Sequence, residues 1–167
     1  MHLALPAHSN QKLIFRFNKI FGNLDQVYRD TVSELYTFLA AKCDPSKPLK
    51  NKVHCDEPAS MTLCSADVEP VAYMKQGQVI LCPKSWNEKY ERSICGEDND
   101  RASVLLHEFS HMYKIDGVEI VDHAYADQVD FYKLLPKQAF TNADSYTLFA
   151  RSESTNSFPF PKVPSIF

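Results

Sequence analysis

The sequence predicts an α+β fold that is mainly α-helical, and three observations support this class. Between residues 24 and 41, apolar residues recur every three to four positions, which is the period of an amphipathic helix. The stretch VAYMKQGQVILC (71–82) places two apolar segments on either side of a Gln-Gly pair, which is typical of a β-hairpin. A second helix is predicted over 100–113, where acidic residues precede the apolar run VLL.

Length and composition indicate one domain over residues 1–167, with a segment 1–23 at its start and a proline-rich, extended tail over 152–167. The chain is 44% hydrophobic and 12% aromatic, so it can bury a sizeable core. Its net charge is -3 with Lys and Arg spread along the chain, which argues against nucleic acid. No run approaches the ~20 apolar residues of a membrane-spanning helix, so no membrane partner is expected.

The N-terminal half alternates ordered segments and loops. KLIFRFNKIF (12–21) fits either a helix or a strand, and Gly22 with Asn23 predicts a break after it. The helix over 24–41 should end near Cys43, before a proline. Prolines and polar residues predict a loop over 44–60, and residues 83–99 form a second polar loop after the hairpin.

The helix over 100–113 can be capped by Asp98 or Asn99, and Asp116-Gly117 is expected to close it.

A further helix is predicted over 121–135, ended by Pro136, and a last helix, NADSYTLFAR, begins at Asn142.

The sequence HEFSH on the predicted helix 100–113 points to a metal site. His107 and His111 are four residues apart, so on a helix both imidazoles project from one face and can bind one zinc ion. Glu108 is rotated by roughly 100° from His107 and can act on a water at the metal without binding it. The alternative is a surface helix with two unconnected histidines.

A catalytic zinc site needs a third protein ligand, and several downstream donors can be eliminated. A third His six residues after the second fails, because Gly117 stands there. Asp116 and Glu119 lie in the tight turn after the helix, where they could bind only with strained geometry. Two donors remain at the start of the next predicted helix: Asp122 and His123.

Several motifs resemble the deuterolysins, secreted fungal metalloendopeptidases of the aspzincin group. VLLHEFSH is similar to their metal-binding helix, and EIVDHAYA supplies the Asp and Tyr of their G-T-x-D-x-x-Y-G motif. NADSYTLFA is similar to the segment after the site, and VILCP with Cys64 and Cys82 to a disulfide-bridged hairpin. The resemblance covers roughly residues 60–150 and implies a zincin-like metalloprotease fold with a small sheet beside the metal-binding helix. The motif's Gly-Thr is Glu119-Ile120 here, and its final Gly is Ala126.

The resemblance also implies roles for individual residues. His107, His111 and Asp122 would bind one Zn²⁺, and Glu108 would act as the general base. Tyr125, on the same face of the predicted helix as Asp122, would donate a hydrogen bond to the oxyanion; the alternative is a core aromatic.

Asp144 has two interpretations. It either orients a ligand histidine or caps the last helix.

Five cysteines lie within 53 residues, which favours disulfides in an oxidising compartment over buried thiols in the cytosol. The resemblance implies a Cys64–Cys82 bridge. Cys43 with Cys55 is a second candidate pair, and Cys95 lacks its usual partner. An odd number leaves at least one thiol free or bonded to another chain.

Together these features predict a secreted, extracellular zinc endopeptidase, acting as a monomer on proteins or peptides, with a host protein as one possible target. The alternative is a secreted effector that keeps the fold but acts by binding a host or partner protein, since some plant-pathogen effectors resemble the same family. A cytosolic non-enzymatic domain is a third reading, which requires reduced cysteines and no zinc.

Overall fold

Two N-terminal helices, a small sheet and a C-terminal helix surround the helix that carries HEFSH. The structure is a computed structural model and describes residues 7–22, 25–42, 53–55, 57–58, 62–65, 70–87 and 100–154. The elements in chain order are α1 (Ala7–Phe21), α2 (Gln26–Lys42), β1 (Val53–His54), β2 (Ala72–Lys75), β3 (Gln78–Leu81), α3 (Arg101–Ser110), β4 (Lys114–Ile115), β5 (Val118–Glu119), α4 (Pro136–Phe140) and α5 (Ala143–Ser154). The predicted α+β, mainly helical class is confirmed.

The ambiguous segment KLIFRFNKIF lies within a helix, α1. Phe17, Ile20 and Phe21 are buried on one side of it, at the spacing of successive helical turns. The predicted break is present, since Gly22 has a φ of 66° and follows the last helical residue. This left-handed conformation, which favours glycine, turns the chain toward α2.

Helix α2 matches the prediction for 24–41, although Leu24 lies outside the described residues. Asp25 accepts a hydrogen bond from the backbone N–H of Val27 at 3.2 Å and so caps the N-terminus. The buried side chains Val32, Leu35 and Leu39 follow the apolar period that predicted the helix.

The predicted hairpin is formed by β2 and β3, which pair antiparallel from Ala72–Leu81 to Lys75–Gln78. Its turn is Gln76-Gly77, with positive φ at both residues. Strand β1 pairs in parallel with β3, which the prediction of a loop over 44–60 missed. Two residues are too few for a period to be read from the sequence.

The predicted Cys64–Cys82 disulfide is present and joins the end of β3 to the segment 62–65. Cys55 is exposed and its thiol is free, so a bridge from Cys55 to Cys43 is not supported. Cys43 and Cys95 lie outside the described residues, as does most of the polar loop 83–99. Its described part contains a 3₁₀ turn over Pro83–Trp86.

Helix α3 begins as expected but is capped by a different residue. Asp100, not Asp98 or Asn99, accepts a hydrogen bond from the backbone N–H of Ser103 at 2.7 Å. The regular helix ends at Ser110, three residues before the predicted end, and Asp116-Gly117 forms the turn of the β4–β5 hairpin instead of closing the helix.

The predicted helix over 121–135 is wrong. Residues 121–128 form a loop, and only Val129–Lys133 form a 3₁₀ turn. Four backbone N–H groups of this loop donate to the segment before and at the start of α5 and not to carbonyl oxygens of the loop: those of Val121, His123, Ala124 and Ala126. Pro136 does not end a helix but begins α4, because its missing N–H and fixed φ suit a first helical position.

Helix α5 was predicted to begin at Asn142 and begins one residue later. It packs against α1 and α3, and α3 also contacts β2. The core beneath it is an aromatic cluster with ring centroids 4.9–6.2 Å apart, made by Phe17, Phe21, Phe140, Tyr146 and Phe149. This aromatic core therefore holds the N-terminal part of α5 in place.

Within the described parts of the chain, none of the helices combines the length and the apolar character of a bilayer-crossing segment.

Candidate metal centre

Three side chains from two elements meet on one side of α3. The four-residue spacing on this helix brings the His107 and His111 rings to a centroid distance of 5.1 Å. The Nε2 atoms of the two rings lie 3.0 and 3.5 Å from Oδ1 of Asp122. Ligand atoms about 2.1 Å from one tetrahedral zinc ion are about 3.4 Å apart, so this spacing fits a shared zinc ion.

The other nitrogen of each ring is held by the protein. His107 Nδ1 lies 3.0 Å from Oδ1 of Asp144, and His111 Nδ1 lies 2.8 Å from the carbonyl oxygen of Ile120. Carboxylate and carbonyl oxygens are acceptors, so each Nδ1 carries the proton and each Nε2 is left to face Asp122. Both rings are therefore oriented for metal binding through Nε2.

A cation between His107 and Asp122 is also favoured by charge. Burial acts to lower the pKa of His107, but hydrogen bonds to Asp122 and Asp144 outweigh it and raise this pKa to about 10. The same contact lowers the pKa of Asp122, although partial burial opposes it. Without metal, a proton on His107 Nε2 supplies the positive charge that a zinc ion would bring, and zinc binding would displace that proton.

Glu108 lies on the same helix, in the wall of the cleft, and is 7% exposed. Burial raises the pKa of its carboxyl to about 7, with a further contribution from the negative charge of Asp122. The charge of His107 and a hydrogen bond from the backbone of Met74 oppose this shift. A carboxyl with a pKa near neutrality can both accept and release a proton.

Tyr125 lies beside the three donors although no helix carries it. Its hydroxyl donates to Oδ2 of Asp122 at 3.3 Å, and its ring stacks on that of His107 with centroids 6.0 Å apart. Burial, followed by the charge of Asp122, raises the pKa of Tyr125 to about 12, so the hydroxyl keeps its proton. Since the ring is 45% exposed, the alternative of a core aromatic is not what the structure shows.

The loop from Val121 to Ala126 depends on a residue that the sequence reasoning missed. The side chain of Asn142 accepts hydrogen bonds from the backbone N–H groups of His123 and Ala124. Ile120 was also missed, because its contribution is a carbonyl oxygen and any residue provides one. No pattern in a single sequence marks either function.

His123, the other candidate third ligand, is directed away from the site. Its Nε2 lies 2.9 Å from the hydroxyl of Thr141. Among the described residues, His107, His111 and Asp122 form the one group of donors close enough to share an ion, with their donor atoms within 4.8 Å of one another.

Two of the departures from the deuterolysin motif, Glu119 and Ile120, lie shortly before Asp122. Glu119 points to solvent and pairs with Lys114 at 3.0 Å across the β4–β5 hairpin. Ile120 is 2% exposed and orients His111 through its carbonyl, while the hydrogen bond to Asp122 comes from Tyr125. Asp122 therefore has a hydrogen-bond donor, Tyr125, although Ile120 stands where the motif has threonine.

The donors open into a cleft of about 650 Å³. Strand β2 lines one side of it, and the chain from Glu119 to Asp122 lines another. The rest of the lining consists of the residues of the candidate metal centre and of Pro70, Val71, Ser103, Val104 and Thr147. The walls of the cleft mix apolar and polar groups, as ligand-binding clefts do.

Fold and geometry together define a candidate metal centre of the two-histidine, one-aspartate type, with a buried glutamate beside it. A family model described as lysine-specific metallo-endopeptidase matches residues 7–151, and the chain belongs to this family, the aspzincins.

Relatives and a solved structure agree with this assignment. A neutral protease 2 homologue of Coccidioides posadasii is 28% identical over 139 residues, which are 83% of this chain and 38% of the relative. Neutral protease 2 of Aspergillus oryzae is 25% identical, with 82% and 38% covered. The structure is similar to that of a zinc peptidase from Grifola frondosa, with a TM-score of 0.55, 25% identity and 89% and 86% coverage. The chain thus spans about two fifths of the length of the curated relatives it matches.

Proposed function

We propose that this chain is a zinc-dependent endopeptidase domain that hydrolyses peptide bonds in proteins. The observation that carries the proposal is the convergence of His107, His111 and Asp122 on one point, beside the buried carboxyl of Glu108. Membership of the metallo-endopeptidase family supports it. A zinc ion bound by these residues would act as a Lewis acid, polarising the peptide carbonyl and making water nucleophilic near neutral pH.

Glu108 is assigned the proton transfers. It removes a proton from the attacking water as the water oxygen bonds to the carbonyl carbon, and it passes that proton to the amine when the C–N bond breaks. Burial supports both steps, because it holds the pKa of the carboxyl near neutrality. A bound cation would lower this pKa, so Glu108 would enter the reaction as a carboxylate.

Tyr125 is assigned to the oxyanion. Its hydroxyl keeps its proton, lies at the mouth of the cleft and already donates to the carboxylate of Asp122. A small rotation of the exposed ring would redirect that donor toward a negatively charged carbonyl oxygen. The stacking of this ring on His107 limits such movement to the neighbourhood of the metal centre.

Strand β2 is assigned to the substrate backbone. It is an edge of the described three-stranded sheet, and Ala72, Tyr73 and Met74 line the cleft. An extended peptide can add to such an edge through main-chain hydrogen bonds, which hold the scissile bond independently of side-chain sequence. This arrangement fits an endopeptidase better than an enzyme for a compact small molecule.

Secretion is part of the proposal and rests on the Cys64–Cys82 disulfide, which is stable in an oxidising compartment. Similarity to fungal neutral proteases supports it. We infer a monomer that acts on protein or peptide substrates, because the residues assigned to the metal and the strand assigned to the substrate lie in one chain.

The test compares Glu108→Gln with Glu119→Gln on casein or a basic protein, with and without a chelator. Glu108→Gln is expected to keep zinc and to lose about 10²–10⁴-fold in hydrolysis, because an amide cannot accept the proton. Glu119 also borders the cleft but is exposed, so Glu119→Gln should retain activity. Retained hydrolysis in Glu108→Gln would refute the mechanism. A wild-type protein that binds zinc but cleaves nothing would favour the effector alternative.

A further inference from the structure

The loop that carries Asp122 is built on the segment Thr141–Asp144, which we call the template segment. The backbone N–H of Val121 donates to the carbonyl of Thr141 at 2.8 Å, and that of Ala143 donates to the carbonyl of Val121 at 3.1 Å. The template segment thereby pairs with the loop immediately before the aspartate.

Asn142 continues this pairing immediately after the aspartate. Its side-chain oxygen accepts hydrogen bonds from the backbone N–H groups of His123 at 2.9 Å and Ala124 at 3.1 Å. Its side-chain nitrogen donates to the hydroxyl of Ser145 at 3.2 Å. Asn142 is fully buried, and its removal would leave both N–H groups without this acceptor.

Asp122 is therefore held on both sides by one segment although it belongs to no helix or strand. Its own side chain is 37% exposed and would be free to take other rotamers on an unrestrained loop. The template segment also contributes Asp144, whose second carboxylate oxygen accepts from the backbone N–H of Ala126. Through its first oxygen, the same carboxylate orients His107.

We propose that Asn142 is a positioning residue that presets Asp122 for metal binding. It acts through the loop backbone and touches neither metal nor substrate. In the same arrangement the hydroxyl of Thr141 holds the ring of His123 away, so the template segment makes an aspartate and not the adjacent histidine the third ligand. The inference rests on the proposed function, in which Asp122 binds zinc.

The test measures zinc affinity by competition with a chromophoric chelator, together with thermal unfolding of the metal-free protein. Asn142→Ala is expected to bind zinc about 10–100-fold more weakly, the usual effect of losing a partner behind a ligand. Asn142→Asp keeps an acceptor oxygen in place and should stay within about fivefold of wild type. Ser145→Ala is the matched control, because it leaves both bonds to the loop intact.

Hydrogen exchange supplies a readout that depends neither on Asn142→Ala nor on activity. In the metal-free wild type, the amides of His123 and Ala124 should exchange more slowly than those of exposed loop residues, and Asn142→Asp should preserve this protection. Fast exchange of both amides would overturn the inference even if Asn142→Ala fails to fold.

The outcomes also separate this inference from the proposed function. A wild-type protein that binds no zinc would refute the metallopeptidase proposal. A wild type that binds zinc, with Asn142→Ala destabilised but unchanged in zinc affinity, would show that Asn142 is only structural and would refute the positioning role alone.

Discussion

The two halves of the metal centre are held in place by different means. Helix α3 carries His107 and Glu108, with His111 at its C-cap, and its local pattern of apolar residues and an Asp100 cap specify it. Asp122 and Tyr125 lie on a loop whose shape depends on hydrogen bonds to residues about twenty positions later in the chain.

Because of this difference, we expect changes in the helix and changes in the loop to affect the stability of the domain and its zinc affinity to different extents. Changes that weaken α3 without touching its ligands should lower the stability of the whole domain, since the helix packs into the core against α5 and β2. Changes in the contacts of the loop should lower zinc affinity more than stability, because the loop lies at the surface. The expected effects below decrease in size.

The largest effect is expected at His111, and His123, which the sequence left beside Asp122 as a candidate third ligand, is the control. His111→Ala removes the donor at the C-cap of α3 and should weaken zinc binding by about 10²–10³-fold, since each ligand contributes a few kcal/mol of the binding free energy. His123→Ala, in the loop, should leave zinc affinity within about threefold, because its ring contacts Thr141. Equilibrium zinc titration of both variants checks this, and the reverse ranking would make His123 the ligand.

A smaller loss of zinc affinity is expected from changes at Asp144, which contacts both His107 and the loop. Asp144→Ala removes the acceptor for both His107 and the backbone of Ala126, so zinc affinity should fall by about 10–100-fold. Asp144→Asn keeps one acceptor oxygen but turns an amide N–H toward the other partner, which is itself a donor, so its loss of zinc affinity should be intermediate. Calorimetric zinc titration distinguishes the three proteins, and an unchanged affinity in Asp144→Ala would mean that His107 needs no orienting carboxylate.

Substitutions of two hairpin glycines test whether the template segment or the β4–β5 hairpin holds the Asp122 loop in place. Gly117 and Gly77 have φ values of 82° and 74°, and an added Cβ would meet no atom within 4 Å at either site. Gly→Ala should therefore cost about 1–2 kcal/mol of unfolding free energy at both, from backbone strain alone. Gly117 lies in the β4–β5 hairpin that joins α3 to the loop. If the template segment holds the loop, Gly117→Ala should change zinc affinity no more than Gly77→Ala, and urea unfolding with zinc titration decides this.

The smallest effect concerns the cap of α3. Asp100→Ala should cost about 1 kcal/mol of stability, or about 2–4 °C in the unfolding midpoint, because the N–H of Ser103 loses its acceptor. Asp100→Asn should be nearly neutral, since asparagine caps equally well. Calorimetry of the metal-free proteins measures both. A large loss of zinc affinity in Asp100→Ala would show that the helix half is less independent than proposed.

The sequence predicted what is encoded locally. The period of α2, the Gln76-Gly77 turn and the spacing of His107 and His111 each specify a structure within a few residues, and the structure contains all three. Asp122 could be named only by elimination and family resemblance, and it was expected on a helix that does not form.

The remainder depends on contacts between distant segments. The apolar spacing after Val121 suits a helix, but the side chains of Asn142 and Asp144 bond the same backbone N–H groups in another conformation. Differences in helix propensity amount to less free energy than such tertiary contacts, so the contacts decide the conformation. Strand β1 was missed for a related reason, because two residues acquire their conformation from pairing with β3.

The central claim is that the loop half supplies the third ligand through Asp122. Zinc titration of Asp122→Ala beside wild type tests it directly. One zinc ion per chain is expected for wild type, with binding at least about 100-fold weaker in Asp122→Ala. Full zinc occupancy at wild-type affinity in Asp122→Ala would contradict the claim and would mean that another residue completes the centre.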